Sequence, residues 1–189
     1  MLLVLMLWGC HSDFYSLPAR VQPGIVNMVI EIPAGTTLKT EYNATTRKFE
    51  ATHVNGVPRK VQYLPYPGNY GFIPSTRQSV EKGGDGDALD ILLLADAIPK
   101  EHVIQVIPIA ILRLIDAGEN DSKIIAVPAN RSLRMINCTQ FACLKSNYPS
   151  VLTILETWFA NYNGETEMKV IGWGNEVEAD QEISLCSRE

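Results

Sequence analysis

An α+β fold carried mainly by β-strands, a small and strongly bent sheet or barrel with a few flanking helices, is what this sequence predicts. Three observations lead there. Short apolar or β-branched runs bounded by Gly, Pro and Asp recur from Asn27 to Val127 and have the length of strands rather than helices. Helical periodicity is sparse and lies near the C-terminus. No internal repeat or low-complexity linker follows Gly24, so a chain of 189 residues, 46% hydrophobic and 20% charged, reads as one compact domain with a tail.

Taken in order, the first nine residues are an apolar run too short to span a bilayer, which takes about 20 residues. Leu7-Trp8-Gly9-Cys10 resembles the cleavage box of a bacterial lipoprotein, although the basic stretch expected ahead of it is missing. Two readings stand side by side: a lipoprotein signal with Cys10 lipidated, or a frayed apolar N-terminus. Residues 11–24 suit a tether or an arm packed over the domain, so residues 1–24 are set apart from a folded domain over 25–189. Asn27 to Ile32 is strand-like and ends at Pro33, and Leu38 to Tyr42 with Arg47 to Thr52 reads as a hairpin through Asn43 to Thr46. Ile91 to Leu94, Val103 to Ile115 with Pro108 interrupting it, and Lys123 to Val127 are further strands. Pro149 opens a helix to Tyr162 whose apolar face holds Val151, Leu152, Leu155, Trp158 and Phe159, and a shorter helix covers Glu176 to Ser184.

A net charge of −5 and a pI near 5.3 argue against a nucleic-acid partner, because phosphate-backbone binding needs a basic surface. Cys10, Cys138, Cys143 and Cys186 contain no CxxC pair, which disfavours zinc; Cys138 and Cys143 could pair only if the fold brings them together, and the plainer reading is buried or idle thiols.

The chemistry gathers in Gly83 to Leu94, where Asp85, Asp87 and Asp90 crowd into six residues ahead of a strand. Such a cluster demands protons, basic partners or a metal ion. An EF-hand is excluded because the sixth and twelfth residues from Asp85 are Asp90 and Asp96, not Gly and Glu. A haloacid-type phosphatase is excluded because the strand follows the aspartates instead of preceding them. Asp116 to Lys123 forms a second acidic loop, with Asp116, Asp121 and Lys123. Two such loops facing one another would hold Mg²⁺ ions with phosphates bridging them; each loop alone also reads as a solvated acidic turn or surface charge run. Tyr66 and Tyr70 lie in a Pro/Gly-held turn, either as packing residues or with hydroxyls for phosphate oxygens. Lys39, Arg59, Lys60 and Lys123 are the basic residues near these loops.

The collinear set VIEIP, Lys39 with Glu41, YPGNYGFIP, DGDALD, DAGENDSK with IIAVP, WFANY and Gly172-Trp173, running from Asn27 to Trp173, resembles the soluble inorganic pyrophosphatases of family I, bacterial type. The resemblance implies a five-stranded OB-like barrel with flanking helices, and hydrolysis of pyrophosphate by a metal-activated water without a covalent intermediate. It implies several Mg²⁺ ions per site, with Mn²⁺ or Zn²⁺ as substitutes, and a homo-oligomer. Carried over, Asp85, Asp90, Asp116 and Asp121 are metal ligands and Asp87 the proton acceptor. Lys39, Arg59, Tyr70, Lys123 and Tyr162 bind phosphate, and Glu31, Glu41 and Tyr66 support them. Three departures stand out. Asn163 replaces a lysine common after the tyrosine, and Ala88 replaces the proline of DGDPxD. Arg59 lies one residue closer to Tyr66 than the bacterial pattern, beside Lys60; its fork makes it the choice for phosphate. Residence is cytoplasmic, or envelope-anchored where Cys10 carries lipid. The alternative is a catalytically weak, envelope-anchored metal- or phosphate-binding protein of the same fold.

Overall fold

The computed structural model describes residues 13–164 and 168–188; the Leu7–Cys10 segment lies outside the described residues. The strands are β1 (Arg20–Gln22), β2 (Ile25–Ile32), β3 (Thr40–Asn43), β4 (Lys48–Ala51), β5 (His53–Val54), β6 (Val57–Pro58), β7 (Asn69–Phe72), β8 (Asp90–Leu93), β9 (Val103–Asp116), β10 (Glu119–Asn120), β11 (Lys123–Pro128) and β12 (Met168–Asn175). The α-helices are α1 (Phe141–Asn147), α2 (Pro149–Asn161) and α3 (Glu176–Cys186). β2, β7, β8, β11 and β9 hydrogen-bond in that order, and β9 pairs back onto β2, so five strands close into a ring that fits the expected OB-like barrel.

The length of β9 closes it. Val103 to Val106 pair with Val29 to Val26 of β2, the middle of the strand runs beside β11, and Ala110 to Asp116 carry β12 outside the ring. Pro108 does not interrupt β9: it sits opposite Ala126 at a register irregularity in β11, where a missing N–H is tolerated. β8 and β11 pair in parallel. Their unbroken apolar runs are explained by burial on both faces. Ile91 and Leu93 pack with Ile124 and Ala126 toward Ala179 and Ile183 of α3, while Leu92 and Leu94 pack with Ile125 and Val127 in the cluster of Leu155, Trp158 and Phe159 of α2.

Two helices form as the periodicity predicts. α2 has Pro149 in its first turn, and α3 opens on an Asn175–Glu178 capping box. The strand β7 follows the Tyr66 to Gly68 turn inside the stretch read as a turn, and Gly71 makes it fit: a Cβ there would lie 1.9 Å from the Val29 carbonyl oxygen. Cys138 and Cys143 form a disulfide, correcting the idle-thiol reading. The turn into α1 brings their Cα atoms to 5.5 Å, a closeness that the absence of CxxC spacing does not reveal. The arm is part of the packing: β1 pairs with β2, and Phe14, Tyr15 and Leu17 lie against Val29, Tyr42 and Phe72.

Candidate active site

The strand ends bring the acidic loops together. Asp90 opens β8, Asp116 closes β9, and Asp121 stands between β10 and β11. Because β8 and β11 run parallel with Ile91 beside Ile124, Asp90 and Lys123 emerge side by side. Asn120 clasps one loop to the other, its N–H donating to the Gly83 carbonyl at 2.7 Å and its Nδ2 to the Lys82 carbonyl at 3.1 Å. The Asp85 to Asp90 turn is shaped by Gly86 at φ +88°, a conformation suited to glycine. It is held by Gln78, whose N–H donates to the Asp87 carbonyl, and by Arg77, whose Nε donates to the Gly86 carbonyl at 2.9 Å.

A cavity of about 350 Å³ results. Asp85, Asp87, Asp90, Asp116, Asp121, Glu31, Glu41, Lys39, Arg59, Lys123, Tyr70 and Tyr162 all line it. Tyr66 does not; it lines a neighbouring cavity with Lys60, while Arg59, Lys39 and Tyr162 border both. The arrangement therefore brings Arg59 rather than Lys60 to the carboxylates. Tyr15, Tyr42 and Asn120 also line the site and were not singled out from sequence. Tyr15 belongs to the arm, whose distance along the chain hides it; Asn120 was visible only as part of the acidic loop.

Lys123 is 2% exposed, and its ammonium contacts Asp90 Oδ2 and Asp121 Oδ1. Burial pulls its pKa down, but the two carboxylates outweigh burial and raise it well above the ordinary lysine value. Burial raises Asp121 in spite of Lys123. Glu31 is pushed up to about 8 by burial, against the pull of the Tyr42 N–H that donates to its Oε1 at 2.7 Å. Asp87 keeps an exposed side, and its partial burial, followed by the charges of Asp85 and Asp90, raises its carboxyl. Lys39 pairs with Glu41 at 2.8 Å. Burial also raises the hydroxyls of Tyr70 and Tyr162, the latter to about 12, so both are neutral donors near neutral pH. Tyr162 is fixed by stacking on Trp158 at 4.6 Å, and Trp158 Nε1 donates to the Leu64 carbonyl at 2.9 Å.

The donor set fits a hard divalent cation. Carboxylates lie on two facing loops, and among the described residues the cavity is lined by oxygen donors rather than by Cys or His. One buried cation, Lys123, two partly exposed ones, Lys39 and Arg59, and neutral hydroxyls beside an excess of carboxylates suit a small polyanion that arrives with metal ions.

Fold and cavity together describe a closed-ring β protein whose cavity has the donor set that phosphate groups and divalent cations call for. The chain belongs to the inorganic pyrophosphatase family, whose model matches residues 28–189. It is similar to the inorganic pyrophosphatase of Sulfolobus acidocaldarius, 31% identical over 176 residues that cover 89% of this chain and 93% of that protein. To that of Neisseria meningitidis serogroup B it is 34% identical over 180 residues, covering 91% and 93%. Among solved structures, the inorganic pyrophosphatase of Thermus thermophilus superposes with a TM-score of 0.79 at 28% identity, covering 93% of this chain and 97% of that one. The N-terminally truncated vacuolar soluble pyrophosphatase of Trypanosoma cruzi, solved in complex with PPi, gives 0.77 at 25% identity, covering 90% and 70%. The chain is accordingly a hydrolase, an inorganic diphosphatase.

Proposed function

We propose that this chain hydrolyses pyrophosphate to two phosphates with Mg²⁺, by direct attack of water and without a covalent enzyme intermediate. The observation that carries the reading is the meeting of both acidic loops, Lys39, Arg59 and Lys123 in one cavity. Asp85, Asp90, Asp116 and Asp121 would hold the ions. When bound, Mg²⁺, or Mn²⁺ or Zn²⁺ in its place, supplies Lewis-acid chemistry that lowers the pKa of a water and neutralises charge on phosphate oxygens. Asp87, at the open side of the first loop, takes the proton as the water oxygen attacks phosphorus and the bridging P–O bond breaks. Lys39 and Arg59 bind phosphate oxygens on the cavity wall. Lys123 spends two of its three N–H donors on Asp90 and Asp121 and directs the third to substrate. Tyr70 and Tyr162 donate as neutral hydroxyls, Glu31 and Glu41 support the network, and Tyr66 packs on Tyr162 from the neighbouring cavity.

Phosphate release from pyrophosphate, assayed with Mg²⁺ and after chelation, tests the reading. Release that needs the metal is expected; no release with Mg²⁺ sinks it. The alternative of a mere metal- or phosphate-binding protein is not favoured by the family relationship. Homo-oligomeric assembly and cytoplasmic residence belong to the same proposal, and sedimentation equilibrium checks the first. Among the described residues no helix is long and apolar enough to cross a membrane. Mass spectrometry of the mature N-terminus decides whether Cys10 carries lipid.

A further inference from the structure

Asn163 follows the end of α2, directly after Tyr162, which keeps helical backbone angles and is stacked on Trp158. Its side chain stands between two groups of opposite need. Arg59 Nη2 donates to Asn163 Oδ1, and Asn163 Nδ2 donates to Asp116 Oδ2 at 3.2 Å. The partners are 104 and 47 residues away, so one short side chain ties three separate segments at the rim of the cavity. A guanidinium only donates and an ionised carboxylate only accepts. An amide serves both at once, and these partners fix which end is oxygen. A lysine here would serve Asp116 and repel Arg59; an aspartate would serve Arg59 and repel Asp116. Arg59 also borders the neighbouring cavity of about 360 Å³. Asn163 lines both cavities too, and its second bond, to Asp116, is what ties the guanidinium to the carboxylate loop.

We propose that Asn163 is a positioning residue of this site, which holds the guanidinium of Arg59 toward bound phosphate and the carboxylate of Asp116 toward bound cation at a fixed spacing. The proposal rests on the pyrophosphatase reading above, with Arg59 on phosphate and Asp116 on metal, and it adds the element that couples the two.

The test is calorimetric binding of Mn²⁺, and of imidodiphosphate at saturating Mn²⁺, to the full chain and to its Asn163→Ala, Asn163→Asp, Arg59→Ala and doubly substituted Arg59→Ala/Asn163→Ala forms. Asn163→Ala is expected to weaken imidodiphosphate by about tenfold, as for loss of a bond to a charged group. In the Arg59→Ala background the same change should cost less than about twofold, because residues acting through one contact are not additive. Asn163→Asp retains the acceptor for Arg59 and loses the donor to Asp116. It should keep imidodiphosphate within about threefold of the unsubstituted protein while shifting Mn²⁺ affinity by more than that. Because it conserves volume, it reads the two bonds separately even where Asn163→Ala lowers the unfolding temperature. An unchanged imidodiphosphate affinity in Asn163→Ala, or a full tenfold loss repeated on Arg59→Ala, overturns the proposal. Failure of the unsubstituted protein to hydrolyse pyrophosphate would sink the activity while leaving this binding comparison decisive for Asn163. Failure to bind imidodiphosphate at all overturns both.

Discussion

The two acidic loops contribute similar carboxylates to one cavity and are built on opposite principles. In the first, Asp85 and Asp87 are exposed, and the turn is shaped by glycine and by bonds to backbone carbonyls from Arg77 and Gln78. In the second, Asp121 is largely withdrawn from solvent and contacts a fully buried lysine that also reaches Asp90. The difference teaches a division of labour. A carboxylate on an exposed, backbone-held turn meets solvent directly, while carboxylates paired with a buried lysine are held in place by it. The exposed turn suits the proposed base, and the Lys123 network fixes Asp90 and Asp121, two of the proposed metal-binding carboxylates.

The comparison breaks most directly at Asp87. Asp87→Asn removes the proposed proton acceptor and leaves the turn's backbone bonds in place, so the rate of phosphate release should fall by about 10²–10⁴-fold while the thermal unfolding midpoint is unchanged. A loss of less than tenfold would remove the base from the first loop. Lys123→Met tests the second loop. It leaves Asp90 and Asp121 without their buried partner, and urea denaturation of the metal-free protein should show a loss of about 3–5 kcal/mol. A fully stable Lys123→Met protein would show that the network is not a scaffold.

Glu31 sharpens the contrast, since among the described residues it is the one buried carboxyl. Its pKa is raised on folding to about 8, so the native state favours the protonated form. Its contribution to stability is complete below the unfolded carboxyl value and is lost as pH rises through about 8. Urea midpoints in chelator should therefore decline from pH 5 to pH 8, and Glu31→Gln should flatten part of that decline. An equal slope in both proteins would mean that Glu31 is ionised in the fold.

Much of this molecule is written in local pattern. Ile91 to Leu94 reads as a buried strand because its residues are apolar on both faces, and Pro149 with the Leu155, Trp158 and Phe159 stripe reads as a helix because 3.6-residue periodicity survives without context. The candidate residues were legible as types and spacings, and the collinear motifs tied them to one family. α1 and β12 escaped notice: one is seven residues long, and the other mixes glycines with exposed positions along its length.

The sequence by itself determined the acidic turn from Asp85 to Asp90, its rank ahead of a buried strand, the second loop with its lysine, and the family, because these depend on residue type and near neighbours. Only the tertiary structure decided what touches what. Parallel pairing of β8 with β11 put Lys123 beside Asp90, the closed ring brought the arm's Tyr15 to the cavity wall, the turn into α1 joined Cys138 to Cys143, and the end of α2 set Asn163 between Arg59 and Asp116. The physical reason is the same in each case. Contacts between segments far apart in the chain are selected by the burial of whole strands and helices, and no local spacing carries that information.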